Sequence, residues 1–357
     1  MTGVPRESRG EGTGPRSRRG QSERGAGGWA FDRLGLYMAI WLNEADVRAV
    51  LPMGDLIDTV ETALRAFSSG QVRQPVRVVI EAGAGGNFFA AMPAYLEAGP
   101  AMGAKLVTVY HRNAGRALPT HQAVMVLHDA ETGSLRAVMD GRYITEARTA
   151  AASAVALRVL ARKEADTLAL IGSGVQAASH LRAFSLVRQF AEVRCWSPTG
   201  ANLRRFVEAH PEVRPAASAE AAVRGAGVVV SVSASPSPVV WNDWVAPGAC
   251  VMSVGACRPN QREMDPLLVA RGRVIVDSRA AALRESGDLA MAMAEGHFGP
   301  EHIAGELGEV LAGRVAGRTA EDEVTIFKPL GIAAEDVAAA QLAYQRACAA
   351  GRGRPLD

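Results

Sequence analysis

Cysteine is scarce in this chain: 357 residues contain four, Cys195, Cys250, Cys257 and Cys348, with no C-x-x-C pair among them. That argues against a disulfide framework or a zinc knuckle and leaves buried thiols as the ordinary reading. The seven histidines form no H-x-x-x-H pair, and the glycine and proline between His297 and His302 break any shared helical face, so no metal is expected. No stretch of about 18 apolar residues runs without a charge, and the opening residues lack the apolar core of a signal peptide. No membrane association is expected, and the expected location is the cytoplasm. A formal net charge of only +2 gives no sign of a nucleic-acid partner. The basic excess sits in residues 1–37, where seven arginines face four acidic residues among Gly, Ser and Pro. Such a segment buries too little apolar surface to offset its ordering entropy, so 1–37 is expected to be a disordered tail, with Met38 a candidate start.

The chain does have a strand-like run, Thr167-Leu-Ala-Leu-Ile171, that breaks into Gly172-Ser173-Gly174-Val175-Gln176-Ala177 and then a helical pattern. This is the pattern of a dinucleotide-binding turn. Gly172 allows the tight bend, Gly174 lets backbone approach a pyrophosphate, and small Ala177 lets helix and strand pack closely. Amides at the helix start then face the phosphates. A second strand over Glu192–Ser197, a helix over Ala201–Ala209 and a valine-rich strand over Gly227–Ser233 complete a βαβαβ unit. At the end of the second strand, where NAD enzymes usually place an acidic residue for the ribose hydroxyl, this chain has Ser197, then Pro198 and Thr199. With no fixed negative charge there, and Asn202, Arg204 and Arg205 just beyond, the reading leans to NADPH, with NADH the alternative. Ser233 and Ala234 after the third strand and Val254 after the next are further candidates for cofactor contact.

The length suffices for two domains. Residues from Asn43 to Ser68 are amphipathic and read as two short helices or one broken one. Short β-rich runs follow at Val76–Glu81, Asn87–Met92, Lys105–Tyr110 and Gln122–His128, an antiparallel or mixed sheet. Then come a turn over Asp129–Gly133, a strand over Leu135–Met139 and an alanine-rich helix over Thr145–Leu160. A strand over Val274–Asp277 and helices near Ala280–Leu283 and Ile303–Leu311 come later, and a last helix, Ala333–Ala350, packs back on the first domain. The expected fold is α/β: a doubly wound Rossmann domain over 148–321, and an α+β substrate-binding and dimerisation domain built from both chain ends, 38–147 and 322–357.

Several segments resemble, in order along the chain, the ornithine cyclodeaminase and mu-crystallin family of nicotinamide-dependent enzymes. They are Gln74-Pro-Val-Arg77, Met92-Pro-Ala94, Lys105-Leu-Val-Thr108, Pro119-Thr-His-Gln122, Met139-Asp-Gly141, Thr145-Glu-Ala-Arg148-Thr-Ala-Ala151, the glycine turn, Gly255-Ala-Cys-Arg-Pro259, Glu285-Ser-Gly-Asp288 and Phe327-Lys328. The chain resembles the mu-crystallin branch, whose members resemble ketimine reductases, more than the true cyclodeaminases. A cyclodeaminase has an acidic residue where this chain has Ala90 and an aspartate where it has Cys257, and both carboxylates manage protons during internal cyclisation.

The resemblance implies NAD(P)H-dependent reduction of a small cyclic ketimine carboxylate, of the pyrroline-2-carboxylate or piperideine-2-carboxylate type, to the cyclic amino acid. It implies that Arg77 clamps the carboxylate and Lys105 acts as second cation or proton donor. Met92, Cys257 and Glu285 are the other substrate-side candidates. Thr120 and His121 match positions near the nicotinamide, and His121 is a candidate proton donor near neutral pH. Arg148, read as lying at a helix start where its charge opposes the dipole, is implied to contact the pyrophosphate or the nicotinamide side. The rival readings are an alanine dehydrogenase or N-substituted amino acid dehydrogenase, a cyclodeaminase, and a non-catalytic binder of NADPH or a small ligand. The apolar runs Val76–Ile80 and Val124–Leu127 suggest a shared sheet surface and a homodimer.

Overall fold

The computed structural model describes residues 2–3, 39–83, 86–113, 116–233 and 235–356. Apart from Thr2 and Gly3, the expected tail lies outside the described residues, as does Ala234.

After strand β1 (Ile40–Leu42), Asn43 and Asp46 cap each other reciprocally and start α1 (Glu44–Val50). Pro52 interrupts the amphipathic run, and α2 (Met53–Ser68) begins afresh with Leu56, Ile57, Val60 and Leu64 buried. Six strands follow: β2 (Val72–Arg73), β3 (Val78–Glu81), β4 (Phe88–Leu96), β5 (Ala101–Val109), β6 (His121–His128) and β7 (Leu135–Asp140). Helix α3 (Arg142–Leu160) starts a turn earlier than its alanine content suggests, because the Asp140 carboxylate accepts from the Arg142 amide. The next section runs β8 (Thr167–Ile171), α4 (Val175–Ser185), β9 (Glu192–Trp196), α5 (Gly200–Ala209), β10 (Val213–Pro215), α6 (Ala219–Val223), β11 (Val228–Ser231) and β12 (Cys250–Ser253). It continues through α7 (Pro266–Arg271), β13 (Arg273–Val276), α8 (Arg279–Glu285), α9 (Gly287–Ala294), β14 (Ile303–Glu306), α10 (Leu307–Leu311) and β15 (Thr325–Lys328). Helix α11 (Ala333–Ala349) and strand β16 (Arg354–Pro355) close the described chain.

Among the described residues these strands form two eight-stranded sheets. The first is mixed, in the order β16-β1-β7-β6-β5-β4-β2, with β3 also on β4; α11 lies across β4, β5 and β6 and against α2. The second is parallel throughout, in the order β10-β9-β8-β11-β12-β15-β13-β14. The strand order reverses between β8 and β11, the switch point at which doubly wound sheets bind ligands. Strands β11, β12 and β15 are buried at every position, as a sheet covered on both faces requires. Helix α3 joins the layers, touching β6 on one side and β12 and β15 on the other.

Three expectations need correction. Ile303–Glu306 is a strand paired with β13, and only Leu307–Leu311 is helical. A helix absent from the sequence reading, α9, is started by Ser286, whose hydroxyl accepts from the Leu289 amide. Strand β15 sits inside the parallel sheet between β12 and β13, so a domain boundary at 321/322 cuts that sheet, and one after Lys328 does not.

Gly172 has φ +121°, and a Cβ there would lie 3.0 Å from Val232 Cγ2 and 3.1 Å from the Val232 carbonyl oxygen. Gly172→Ala is therefore expected to cost about 1–3 kcal/mol, read as a lower urea midpoint; an unchanged midpoint would contradict this account of the turn.

Candidate active site between the two sheets

Lys105 is a central-strand lysine, paired across β5 with Met92 on β4 and Met125 on β6, and only 2% exposed. It is not the strand-edge residue that an isolated lysine usually is. A buried ammonium needs a partner, and Nζ donates to Asp336 Oδ2 at 2.7 Å. The other Asp336 oxygen accepts from Arg148 Nε at 2.9 Å, and Arg148 Nη1 donates to Glu335 Oε2 at 2.8 Å. Asp336 and Glu335 occupy the first turn of α11, where the helix dipole favours negative charge. Arg148 lies well inside α3, so the dipole argument for its function does not apply; the two carboxylates from α11 account for its burial instead.

Burial pushes the Lys105 ammonium down to about 8, with Asp336 opposing the fall and Arg148 adding to it. Burial alone would raise Asp336, but Arg148 and Lys105 outweigh it and hold the carboxyl below its usual range. Glu335 goes the other way, raised by burial to about 8 despite Arg148, and its Oε1 is buried without a hydrogen-bond partner. His121 is pushed down to about 4 by burial, then by Lys105 and Arg148. Burial and the two cations thus favour the neutral imidazole, which counts against His121 as a charged proton donor.

The turn between β15 and α11 joins this group to Arg77. The buried Asp277 carboxylate accepts from the Leu330 and Gly331 amides at 2.7 and 2.6 Å. The carbonyls of the same two residues accept from Arg77 Nη2 at 2.5 and 3.1 Å. Gly331 has φ +82°, and a Cβ there would collide with the Arg148 guanidinium. Arg77 also forms an ion pair with Glu285, Nε to Oε2 at 2.9 Å, while burial raises the Glu285 carboxyl against the pull of Arg77.

Arg77, Lys105, His121, Arg148 and Glu285 face one cavity of about 1130 Å³ between the sheets. The first sheet and its loops contribute Arg77, Met92, Lys105, Thr120 and His121; α3 contributes Arg148. From the other side come Val175 and Gln176 at the start of α4, Val254 and Cys257 after β12, and Glu285. The thiol of Cys257 donates to the Val254 carbonyl at 3.2 Å, and Ala90 is buried in β4.

Other candidates lie beside the cavity rather than on its wall. Gly172, Ser173 and Gly174 form the turn after β8, and the Gly172 amide donates to the Trp196 carbonyl at 2.8 Å, which places the turn next to Ser197, Pro198 and Thr199. The Asn202 side chain accepts from Arg205 on α5. Ser233 is turned away, its amide and hydroxyl both donating to Glu263. A Cβ on Gly174 would meet no protein atom within 4 Å, and no side chain caps α4. The fold itself does not call for glycine at that position, and the first amides of α4 lack intrahelical partners. Open space beside unpaired amides fits a pyrophosphate.

The chain matches the model of the Ornithine cyclodeaminase/mu-crystallin family over residues 39–351. It belongs to that family. It is 42% identical over 293 residues to the ketimine reductase mu-crystallin of Mus musculus, covering 81% of this chain and 91% of that protein. Among solved structures it is similar to the Thermococcus litoralis Delta(1)-pyrroline-2-carboxylate reductase in complex with NADH and L-proline, at TM-score 0.87 and 34% identity, covering 89% of this chain and all of that one. An archaeal alanine dehydrogenase dimer with bound NAD matches at TM-score 0.85 and 32% identity, covering 89% of this chain and 99% of that one.

Sequence reasoning missed Asp277, Glu335 and Asp336. An acidic pair in the first turn of a helix reads as a dipole effect, and nothing local reveals partners 187 to 231 residues away. For His121, NMR titration is expected to give a midpoint near 4; a midpoint near 6.5 would show that its burial is overstated.

Proposed function

We propose that this chain is an NAD(P)H-dependent reductase that converts a small cyclic ketimine carboxylate, of the pyrroline-2-carboxylate or piperideine-2-carboxylate type, to the cyclic amino acid. The observation that carries the reading is one cavity in which a buried lysine and an ion-paired arginine face the start of a dinucleotide-type helix. The family membership and the proline complex of the Thermococcus litoralis relative support it.

The amides at the start of α4 and the turn Gly172-Ser173-Gly174 hold the pyrophosphate, with Arg148, Thr120, Gln176 and Val254 toward the nicotinamide end. Ser197, Pro198, Thr199 and Asn202 receive the adenosine ribose. The absence of a carboxylate at Ser197 and the exposed Arg204 and Arg205 favour NADPH. When bound, the reduced nicotinamide supplies hydride to the imine carbon. Arg77 takes the substrate carboxylate with its planar fork. Glu285, whose proton affinity is raised by burial, gives way to that carboxylate more readily than an exposed glutamate. Lys105 Nζ holds the proton that the ring nitrogen needs, and Asp336 keeps that proton on Nζ near neutral pH. Met92 and Cys257 shape the ring pocket. With alanine at position 90 and a thiol at 257, the two carboxylates that internal cyclisation needs are missing.

The four residues of β3 are all exposed, with Val78, Val79 and Ile80 at 55, 49 and 58%. An apolar strand of this kind suits a homodimer interface, in keeping with the dimeric archaeal relative. Reduced nicotinamide is an intracellular reductant, and the cytoplasm is the proposed location; among the described residues no helix is long and apolar enough to cross a membrane.

Absorbance at 340 nm tests the reading, with NADPH and then NADH against pyrroline-2-carboxylate, piperideine-2-carboxylate, and pyruvate with ammonia. Oxidation with a cyclic imine and no ammonia is the expected outcome. Turnover only with pyruvate and ammonia would make the protein an amino-acid dehydrogenase, and tight cofactor binding without turnover would make it a binding protein. Arg77→Ala is expected to raise KM for the imine about 10-fold or more, as loss of a charged hydrogen bond worth about 1.5–3 kcal/mol implies, with NADPH affinity within about twofold. Equal loss of both would remove Arg77 from the carboxylate. In the wild type the rate should fall as pH rises through about 8, where Lys105 loses its proton. Asp336→Asn removes the charge that raises Lys105, so that limb should move to lower pH; an unmoved limb would exclude Lys105 as the donor.

A further inference from the structure

We infer that Glu263 is the positioning residue for the nicotinamide end of the cavity, a buried carboxylate that ties the loop after β11 to the loop after β12. This rests on the cavity taking a nicotinamide cofactor, as proposed above.

Glu263 is fully buried, and its backbone is anchored by the Val239 and Val240 amides, which donate to its carbonyl. Its Oε1 accepts from Ser231 Oγ at 2.6 Å, the Ser233 amide at 2.6 Å and Ser233 Oγ at 2.7 Å. Its Oε2 accepts from the Gly255 amide at 2.7 Å and the Ala256 amide at 3.0 Å, and Ser253 Oγ lies 3.2 Å from it. Thus one oxygen serves each loop. A further buried pair braces the carboxylate from behind. Asp288 accepts from the Glu263 and Met264 amides through Oδ1, at 2.8 and 2.9 Å, and from Ser253 Oγ through Oδ2 at 2.7 Å. Lys328, also fully buried, pairs with Asp288 at 3.0 Å and donates to the Ser253 carbonyl at 3.0 Å.

The opposite surface of the same two loops is cavity wall: Val232 from the first, Val254, Gly255 and Cys257 from the second. Val232 also abuts the Gly172 turn. In the sheet order β9-β8-β11-β12 the adenosine half of a dinucleotide belongs on the β9 side of the switch point and the nicotinamide half on the β11–β12 side. Glu263 therefore acts on one end of the cofactor only. Its chemistry admits no neutral substitute: it accepts from five donors, and three are backbone amides that cannot reverse. An amide side chain turned either way presents N–H to at least one of them.

The test uses the full-length chain and two variants, Glu263→Gln and Ser233→Ala. NADPH affinity is read from nicotinamide fluorescence, and 2′,5′-ADP, which carries only the adenosine end, is measured by calorimetry; NADH and AMP replace them if NADH binds tighter. Glu263→Gln is expected to weaken NADPH about 10-fold or more while 2′,5′-ADP stays within about twofold, and Ser233→Ala to shift NADPH about threefold in the same direction. Equal weakening of both ligands would make Glu263 a general stability residue and overturn the inference, as would unchanged NADPH affinity. Should the glutamine variant not fold, the Ser233→Ala comparison decides by the same two outcomes. A wild-type chain that binds neither NADPH nor NADH would overturn the cofactor reading itself, and with it this inference.

Discussion

Burying a lysine and an arginine side by side is costly unless a carboxylate stands between them, and Asp336 does so for Lys105 and Arg148. The three residues come from β5, α3 and α11, so the ion group is also a joint between the mixed sheet, the connecting helix and the last helix. Its position follows from the fold: a central strand places Lys105 on the cavity wall with almost all of its surface buried, and a helix N-terminus supplies the negative charge. Removing Asp336 leaves Lys105 without an ion-pair partner and Arg148 with Glu335 alone, which ties the electrostatics of the site to the docking of α11.

The cavity is rich in cations, and its central ones already have carboxylate partners. Lys105 and Arg148 answer to Asp336 and Glu335, and Arg77 to Glu285. Any anion entering the cavity therefore meets cations that already have carboxylate partners. Burial raises the proton affinity of Glu285 beside Arg77, whereas Arg148 and Lys105 lower that of Asp336. The same pairing logic, with donors in place of cations, holds the loops around Glu263.

The centre of the parallel sheet could be read from the sequence because β8 and β11 are short apolar runs and Gly172 marks the turn. The far edge of that sheet could not. Ile303, Leu307, Val310 and Leu311 keep helical spacing across a strand–helix junction, and that periodicity hides the break at Glu306. Strand β15 sits beside β12 although some 70 residues separate them, so adjacency in sequence misplaced it. In the site, the glycine turn was visible from residue type alone. Arg77 and Lys105 depended on family resemblance, because spacing cannot bring two cations together. Asp336 and Glu263 gave no signal, since a carboxylate's meaning lies in distant donors.

The two sheets differ in how they use the chain. The parallel sheet is drawn from one uninterrupted stretch, 167–328, whereas the mixed sheet takes strands from 40–140 and completes its edge with β16. Helix α11, which covers that sheet, is made after the parallel one is complete. During synthesis the earlier strands therefore emerge long before their covering helix, and the later domain holds all of its strands while the earlier one still exposes an apolar face. The order of emergence is thus the reverse of the order of completion.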